Sequence, residues 1–174
     1  MKLRTCITTL ALLAVTLSLS QAAAYIKFDG VDGEAVHPDG GGDGWIIIES
    51  LSIPTGRDSR GGVTAEEMIC VKELDKATPL LMEKLCTGAT IQDLTISLTR
   101  TIKGVEKEYY RVTVKNLGLR TNTMSLVREL DKSSTKAVEQ VTLGYTEVEW
   151  TYIVLDTEGN MIETIKRSFE FGTN

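Results

Sequence analysis

Asp75 to Gly88, DKATPLLMEKLCTG, and Tyr145 to Asn160, YTEVEWTYIVLDTEGN, decide the fold. The first stretch reads as a short capped helix. Asp75 or Thr78 suits the N-cap. Pro79 suits the first turn, where a missing N–H is no loss. Gly88 supplies a left-handed stop. Leu81 and Leu85 lie four apart, as do Met82 and Cys86, so one face is apolar and should dock on a sheet. A helix of about three turns does not stand alone in water. The second stretch reads as a long strand that turns at Glu158-Gly159-Asn160. Val148, Trp150, Tyr152 and Val154 share one face, and core packing is their default role. Val141, Leu143 and Tyr145 just upstream take the opposite parity. That flip predicts a β-bulge near Thr146 and Glu147, where the strand bends from one sheet into a second.

Period two governs most of the remaining chain. Leu94, Ile96 and Leu98 point one way, and Thr95, Ser97 and Thr99 the other. After a turn at Lys103-Gly104, Tyr110, Val112 and Val114 alternate with Tyr109, Arg111, Thr113 and Lys115. This is a hairpin with one wet face. Leu117 to Val127 continues as strand, and the polar run Arg128 to Lys136 is a loop. Tyr25 to Phe28 opens in a strand. The segment VDGEAVHPDGGGDG, with six glycines counting Gly30, reads as a mobile surface loop. Trp45 to Ile53 is a strand apolar on both faces at its start. Pro54 to Gly62 is a second Gly-rich loop. Val63 to Leu74 reads as one strand of weaker pattern, and Ile165, Phe169 and Phe171 belong to the last strand. About seven or eight strands with short turns and one helix make an antiparallel two-sheet β-barrel or sandwich with a flanking helix. There is no internal repeat.

The N-terminus carries a different signal. Lys2 and Arg4 precede an apolar run from Ile7 to Leu19, and Ala22-Ala23-Ala24 offers a small-residue cleavage site. This is the pattern of a secretory signal peptide over residues 1–24, cleaved after Ala24. The apolar run is too short to span a bilayer comfortably. A single domain over residues 25–174 remains, enough for one sizeable core. Loss of Lys2 and Arg4 takes the net charge from −5 to −7. An acidic chain argues against a nucleic-acid partner and against docking on anionic membranes. Export to the periplasm or the medium permits a disulfide between Cys70 and Cys86; two free buried thiols are the other reading. Cys6 sits before the apolar run, so no lipidated cysteine anchors the mature chain.

No arrangement of residues amounts to an active site. His37, the one histidine, lies in the Gly-rich loop, where a solvated residue without a fixed partner is expected. Asp29, Asp32, Asp39 and Asp43 flank the same glycines. Their spacing does not match the alternating acids of a calcium loop, and turns favour Asp beside Gly for backbone reasons. Glu66-Glu67 and the pair Glu147 and Glu149 read as solvated side chains. Gly40 to Gly44 lacks the strand-to-helix setting of a phosphate loop. The sequence predicts no enzyme, no cofactor and no metal.

Three stretches resemble one family in order and spacing. YIKFDGVDGEA followed by WIIIESLS is similar to the opening hairpin of the Hcp proteins, the hemolysin-coregulated tube proteins of bacterial type VI secretion. VKELDKATPLLMEKLCTG is similar to that family's strand-turn-helix segment. TLGYTEVEWTYIVLDTEGN is similar to its long penultimate strand and terminal turn. The likeness runs from about Tyr25 to Phe171. It implies a β-barrel of two sheets with one helix, hexameric rings stacked into tubes, a spike protein and small effector cargo as partners, and no catalytic residues. It also implies that Pro54 to Gly62 reaches toward a neighbouring ring. The leader is a departure, since typical members lack one. The alternative is a secreted or periplasmic Hcp-like binding module outside any contractile apparatus.

Overall fold

The computed structural model describes residues 23–57, 59, 62–128 and 135–171. The elements in chain order are β1 (Ala23–Phe28), β2 (Ala35–His37), β3 (Gly42–Ser52), β4 (Thr55–Arg57), β5 (Val63–Ala65), β6 (Met68–Glu73), α1 (Ala77–Thr87), β7 (Ile91–Ile102), β8 (Val105–Arg128), β9 (Thr135–Gly144), β10 (Glu147–Leu155) and β11 (Met161–Glu170). The main sheet runs β11-β10-β8-β7-β1-β3-β6-β9, and a further pairing of β9 with β8 closes it. The result is the expected antiparallel β-barrel with one flanking helix.

Closure depends on the length of β8. Its first half pairs with β7 through Leu117 and with β10 through Lys115. Its second half, Gly118 to Arg128, pairs with β9. At the change of partner Asn116 adopts a left-handed φ of 53°, a conformation that Asn tolerates better than most side chains. The chain makes the matching bend on the other side. β9 ends at Gly144 and β10 begins at Glu147, so a two-residue break at Tyr145-Thr146 replaces the predicted bulge. Each half keeps its own inward parity, which is the phase flip seen in the sequence. The Lys103-Gly104 turn has φ of 50° and 81°, as two-residue hairpin turns of the primed types require at one or both positions.

The core follows the predicted faces. Ile26, Phe28, Ile46, Ile48, Met68, Cys70, Leu94, Ile96, Val112, Val114, Val141, Leu143 and Val148 are buried in one cluster, and Ala77 and Leu81 bring α1 onto it. Asp75 caps the helix: its Oδ1 accepts the Ala77 N–H at 2.9 Å while Thr78 Oγ1 accepts the Asp75 N–H at 3.2 Å. At the other end Gly88 is left-handed, and the Gly88 and Ala89 N–H groups reach Leu85 and Lys84 carbonyls. Cys86 is exposed, so the helix buries Ala77, Thr78 and Leu81, with Met82 and Leu85 at the margin. Cys70 and Cys86 are both free. Burial pushes the Cys70 thiol up to about 12.

Three sequence expectations are corrected. Val63 to Leu74 is two strands, broken at Glu66-Glu67 where both side chains are exposed. The Gly-rich segment after Val31 is an ordered hairpin of β2 on β3. Its glycines allow close packing: the Gly33 N–H donates to the Gly44 carbonyl at 3.0 Å, and a Cβ at Gly33 would sit 2.3 Å from the Trp45 carbonyl oxygen. Tyr152 lies outside the core, 41% exposed on β10. Of the expected polar loop, Arg128 lies in β8 and Thr135 and Lys136 in β9; residues 129–134 lie outside the described residues. So does the expected leader, except Ala23 and Ala24, which pair with Thr99 and Leu98 in β1.

Candidate functional site

His37 has a fixed partner after all. The side chain is only 4% exposed, and its Nε2 lies 2.8 Å from Ser97 Oγ on β7. The Tyr25 ring meets the imidazole edge-on at 5.2 Å between centroids, and the Trp45 ring lies at 4.5 Å. A Ser–His pair invites a catalytic reading, but the proton is on the wrong side. The Asp39 backbone N–H donates to Nδ1 at 3.3 Å. Nδ1 is therefore the bare nitrogen, and Nε2–H donates to Ser97. In this tautomer the ring cannot take the serine proton, and Ser97 itself is fully buried. Burial lowers the His37 pKa below its ordinary value, against the pull of Glu108 and Asp39. The pair is a latch that holds the β2–β3 hairpin on β7.

The acidic candidates do not converge. Asp39 accepts from Lys107 Nζ at 2.9 Å and from the Glu108 N–H at 3.1 Å. Burial alone would raise its carboxyl, but these partners outweigh it and hold the group below the usual carboxylate range. Asp29 uses its backbone N–H on the Asp93 carbonyl. Asp43 offers its backbone oxygen to Lys27. Asp32 is exposed, as are Glu66 and Glu67. Among the described residues no group of three or more metal-ligating side chains is gathered. Glu147 pairs with Lys115 at 2.8 Å and Glu149 with Lys166 at 2.9 Å. Each carboxylate thus has its own lysine, which is surface pairing rather than acid–base machinery.

One polar constellation escaped the sequence reading. Lys72 and Glu139 are both 0% exposed and lie 2.6 Å apart. Lys72 Nζ also reaches Asp75 Oδ1 at 2.8 Å and the Glu73 carbonyl at 2.8 Å. Glu139 further accepts from Thr78 Oγ1 at 2.7 Å and Asn122 Nδ2 at 2.6 Å. The network ties β6, β9, β8 and the start of α1 together. The signal was available: Lys72 shares parity with Met68 and Cys70, and Glu139 with Val141 and Leu143. The two face each other directly across the β6–β9 ladder. With every charge partnered, the network is a structural clamp.

What remains open is surface. All ten residues of β11 are exposed, and its outer edge has no strand partner among the described residues. Met161, Ile162, Ile165 and Phe169 stand on it, with Tyr152 beside them on β10. Within the predicted Gly-rich loop, Thr55–Arg57 form β4, which pairs with β5. Between that arm and the β10–β11 flap lies a groove of about 380 Å³ lined by Thr55, Gly56, Arg57, Val63, Trp150, Ser168 and Phe169. Trp150 packs against the core from the groove side and is only partly buried. No helix among the described residues is long and apolar enough to cross a membrane.

The described residues thus form a closed antiparallel β-barrel with a buried ion-pair network inside, no gathered metal-ligating side chains and an exposed apolar edge strand. Residues 25–152 match the family model described as type VI secretion system effector, Hcp, and the chain belongs to that family. Solved structures agree on the fold. Hcp1 from Salmonella typhimurium superposes with a TM-score of 0.70 at 20% identity, over 86% of this chain and 95% of that one. Hcp1 from E. coli EAEC 042, a double mutant, gives 0.66 at 20% identity, over 87% and 99%. Secreted protein Hcp3 from Pseudomonas aeruginosa gives 0.63 at 15% identity, over 89% and 100%. No curated protein matches the sequence.

Proposed function

We propose that this chain is a structural, self-assembling protein: six copies close a ring, rings stack into a tube, and the tube works in type VI secretion with a spike protein and small effector cargo. Its role is not catalytic. The observation that carries this reading is β11, a fully exposed edge strand of ten residues with apolar side chains on it. Natural proteins usually blunt such edges with charge, proline or cover; β11 carries four charges, Glu163, Lys166, Arg167 and Glu170, but no proline, and no strand covers its outer edge among the described residues. An edge left open in a family of secretion-system proteins supports pairing with another copy, and a head-to-tail contact that closes makes a ring. The arm from Pro54 to Gly62 is the part offered to the next ring. Residues 1–24 direct export, so the mature chain starts at Tyr25 and is one domain in the periplasm or the medium. Its acidity leaves nucleic acid and membranes out of the partner list.

The test is the mass of the purified mature protein across a concentration series, with electron microscopy of the same sample. A discrete species of about six chains with a visible central hole is the expected result. A monomer at every concentration sinks the reading. The groove beside Trp150 favours one alternative, a secreted binding module that holds a partner there. That reading expects a monomer whose tryptophan fluorescence changes when a ligand fills the groove.

A further inference from the structure

Ala24 and Tyr25 stand on either side of the bond that leader removal breaks. They do not lie at a loose end of the fold. Both sit inside β1, which starts at Ala23. A leader peptidase takes a stretch of chain with small side chains on its leaving side. Endoproteolysis in general concentrates at exposed loop tips and free termini, where the backbone has no other partner. The Ala24–Tyr25 bond offers the small side chains, but in the fold it does not offer free backbone.

Four neighbours close the bond. On one edge β7 pairs with the whole of β1, Ala24 opposite Leu98 and Tyr25 opposite Ser97. On the other edge β3 pairs from Tyr25 onward, Tyr25 opposite Ile47 and Ile26 opposite Ile46. Ala24 shares the inward parity of Ile26 and Phe28 and packs against the core cluster. Tyr25 points to the opposite face, and that face is covered as well. Its ring meets His37 at 5.2 Å, its hydroxyl donates to Glu106 Oε2 at 3.2 Å, and the residue is 7% exposed. A hydrolase has to bring a nucleophile to the Ala24 carbonyl carbon and let the Tyr25 nitrogen depart. Here the departing residue is held between two strands and beneath the His37 latch.

The fold is indifferent to whether the bond is cut. Loss of Ala23 and Ala24 removes two of the six β1–β7 pairs and leaves those from Tyr25 to Phe28. Thr99 Oγ1 loses the Ala23 carbonyl at 3.3 Å and keeps Glu106 Oε2 at 3.0 Å. Ile26 and Phe28 keep their places in the core. Cut and uncut chains therefore form the same barrel, so folding does not wait for processing.

We propose that the leader is removed only from the unfolded chain: formation of β1 seals the Ala24–Tyr25 bond, and a copy that folds first keeps its leader. This rests on the reading of residues 1–24 as a leader and adds the order of events. Cleavage adds water across the amide. The hydroxyl ends on the Ala24 carbonyl carbon as a carboxylate, and the nitrogen leaves as the Tyr25 ammonium. In a folded copy the bond opens only when β1 peels from β7 and β3, so the rate follows the small population of that open state. The peptidase that fits this chain meets it while it is still extended, and does not trim a finished barrel.

The experiment compares the folded full chain with an equal sample unfolded in urea and diluted at the moment of reaction. Bacterial signal peptidase in detergent micelles is added to both, and mass spectrometry follows the product that begins at Tyr25. The unfolded chain is cut, and the folded chain is cut at least about 100-fold more slowly. A variant with a short Gly-Ser spacer between Ala24 and Tyr25, which moves the bond out of β1, is cut at one rate in both states. Circular dichroism checks each folded sample. Where the apolar run keeps the full chain from folding, the comparison is made with elastase, which also cuts after alanine, on a chain whose Ile7 to Leu19 are replaced by Gly-Ser repeats. Equal rates for folded and unfolded chains overturn the shielding and leave the leader standing. A folded spacer variant that resists cleavage puts the protection outside β1 and overturns it too. An unfolded chain that signal peptidase does not cut after Ala24 removes the leader boundary, and this order of events with it.

Discussion

Lys72→Met should be one of the most damaging single changes available in this barrel. Among the described residues Lys72 is the one cation against Glu139, and both are wholly buried. Removing the ammonium leaves a carboxylate in the interior with Thr78 and Asn122 as its remaining donors. Stripping one partner from a buried pair costs about 3–5 kcal/mol, because the other charge is left uncompensated. The reverse change, Glu139→Leu, should cost less. Lys72 would still hold Asp75 at 2.8 Å and the Glu73 carbonyl, and Asp75 is partly exposed, so the remaining pair is better hydrated. A loss of about 1–3 kcal/mol is expected there, in the range of lost buried hydrogen bonds. The double variant Lys72→Met, Glu139→Leu should cost less than the two single losses added, with a coupling of about 1–3 kcal/mol. Urea unfolding at one fixed protein concentration, followed by the fluorescence of Trp45 and Trp150, measures all three. A Lys72→Met loss below about 1 kcal/mol, or strict additivity in the double variant, would refute the uncompensated-charge reasoning.

The lone histidine makes a second prediction easy to read. His37 titrates below its ordinary value because burial disfavours the cation. The unfolded chain therefore binds the proton more readily than the folded one below about pH 6.5, and stability should fall as pH drops through that window, by at most about 1.4 kcal/mol per unit from this group. Asp39, held low in the fold, adds a loss in the same direction at more acid pH, as its contact with Lys107 titrates. The single imidazole resonance in proton NMR gives the midpoint, and a value at or above 6.5 would contradict the burial of the ring. Leu81→Ala should cost about 2–5 kcal/mol, as for a fully buried aliphatic residue. Trp150→Ala should cost less than the about 3–5 kcal/mol of a fully buried aromatic, since one side of the ring faces the groove. Thermal or urea unfolding of the two variants side by side checks the order, and a larger loss at Trp150 reverses the assignment of faces.

The fold was legible wherever one face of an element meets the core and the other meets water. Leu94, Ile96, Val112 and Val114 announce themselves by alternation, and Ala77 to Gly88 by its caps. The phase flip at Tyr145 was visible for the same reason, though the chain breaks there instead of bulging. The Gly-rich segment was misread because glycine serves mobility and close packing alike, and sequence does not separate the two. His37 was hidden more deeply. In Ala35-Val36-His37 the valine is exposed and the imidazole buried, an inversion of the usual preference. It is settled by a Ser97 sixty residues away. Lys72 and Glu139 were legible in parity but not in charge. A buried lysine makes sense only once its cross-strand partner is known, and register between distant strands is not local information.

Closing this barrel determines what the protein can offer to others. A strand of 24 residues cannot find one partner along its whole length, so β8 changes neighbours midway on both sides. On one side β10 hands over to β9, and the sheet stays continuous. On the other side β7 ends and no strand among the described residues replaces it. The same long strand that seals the core therefore creates an open edge past the seal. The flap adds the second edge for a complementary reason: β10 must follow β9 along β8, and β11 can only turn back on its outside, away from the barrel. Both open edges are consequences of closure, not decorations on it. Shortening β8 at Leu119 would remove one edge while leaving its pairings with β7 and β10 intact. Inserting a proline into β11 at an outward N–H would spoil the other without touching the barrel seam. With its interior locked by a buried ion pair, the fold leaves its unpaired strand edges, among the described residues, where its own topology opens them.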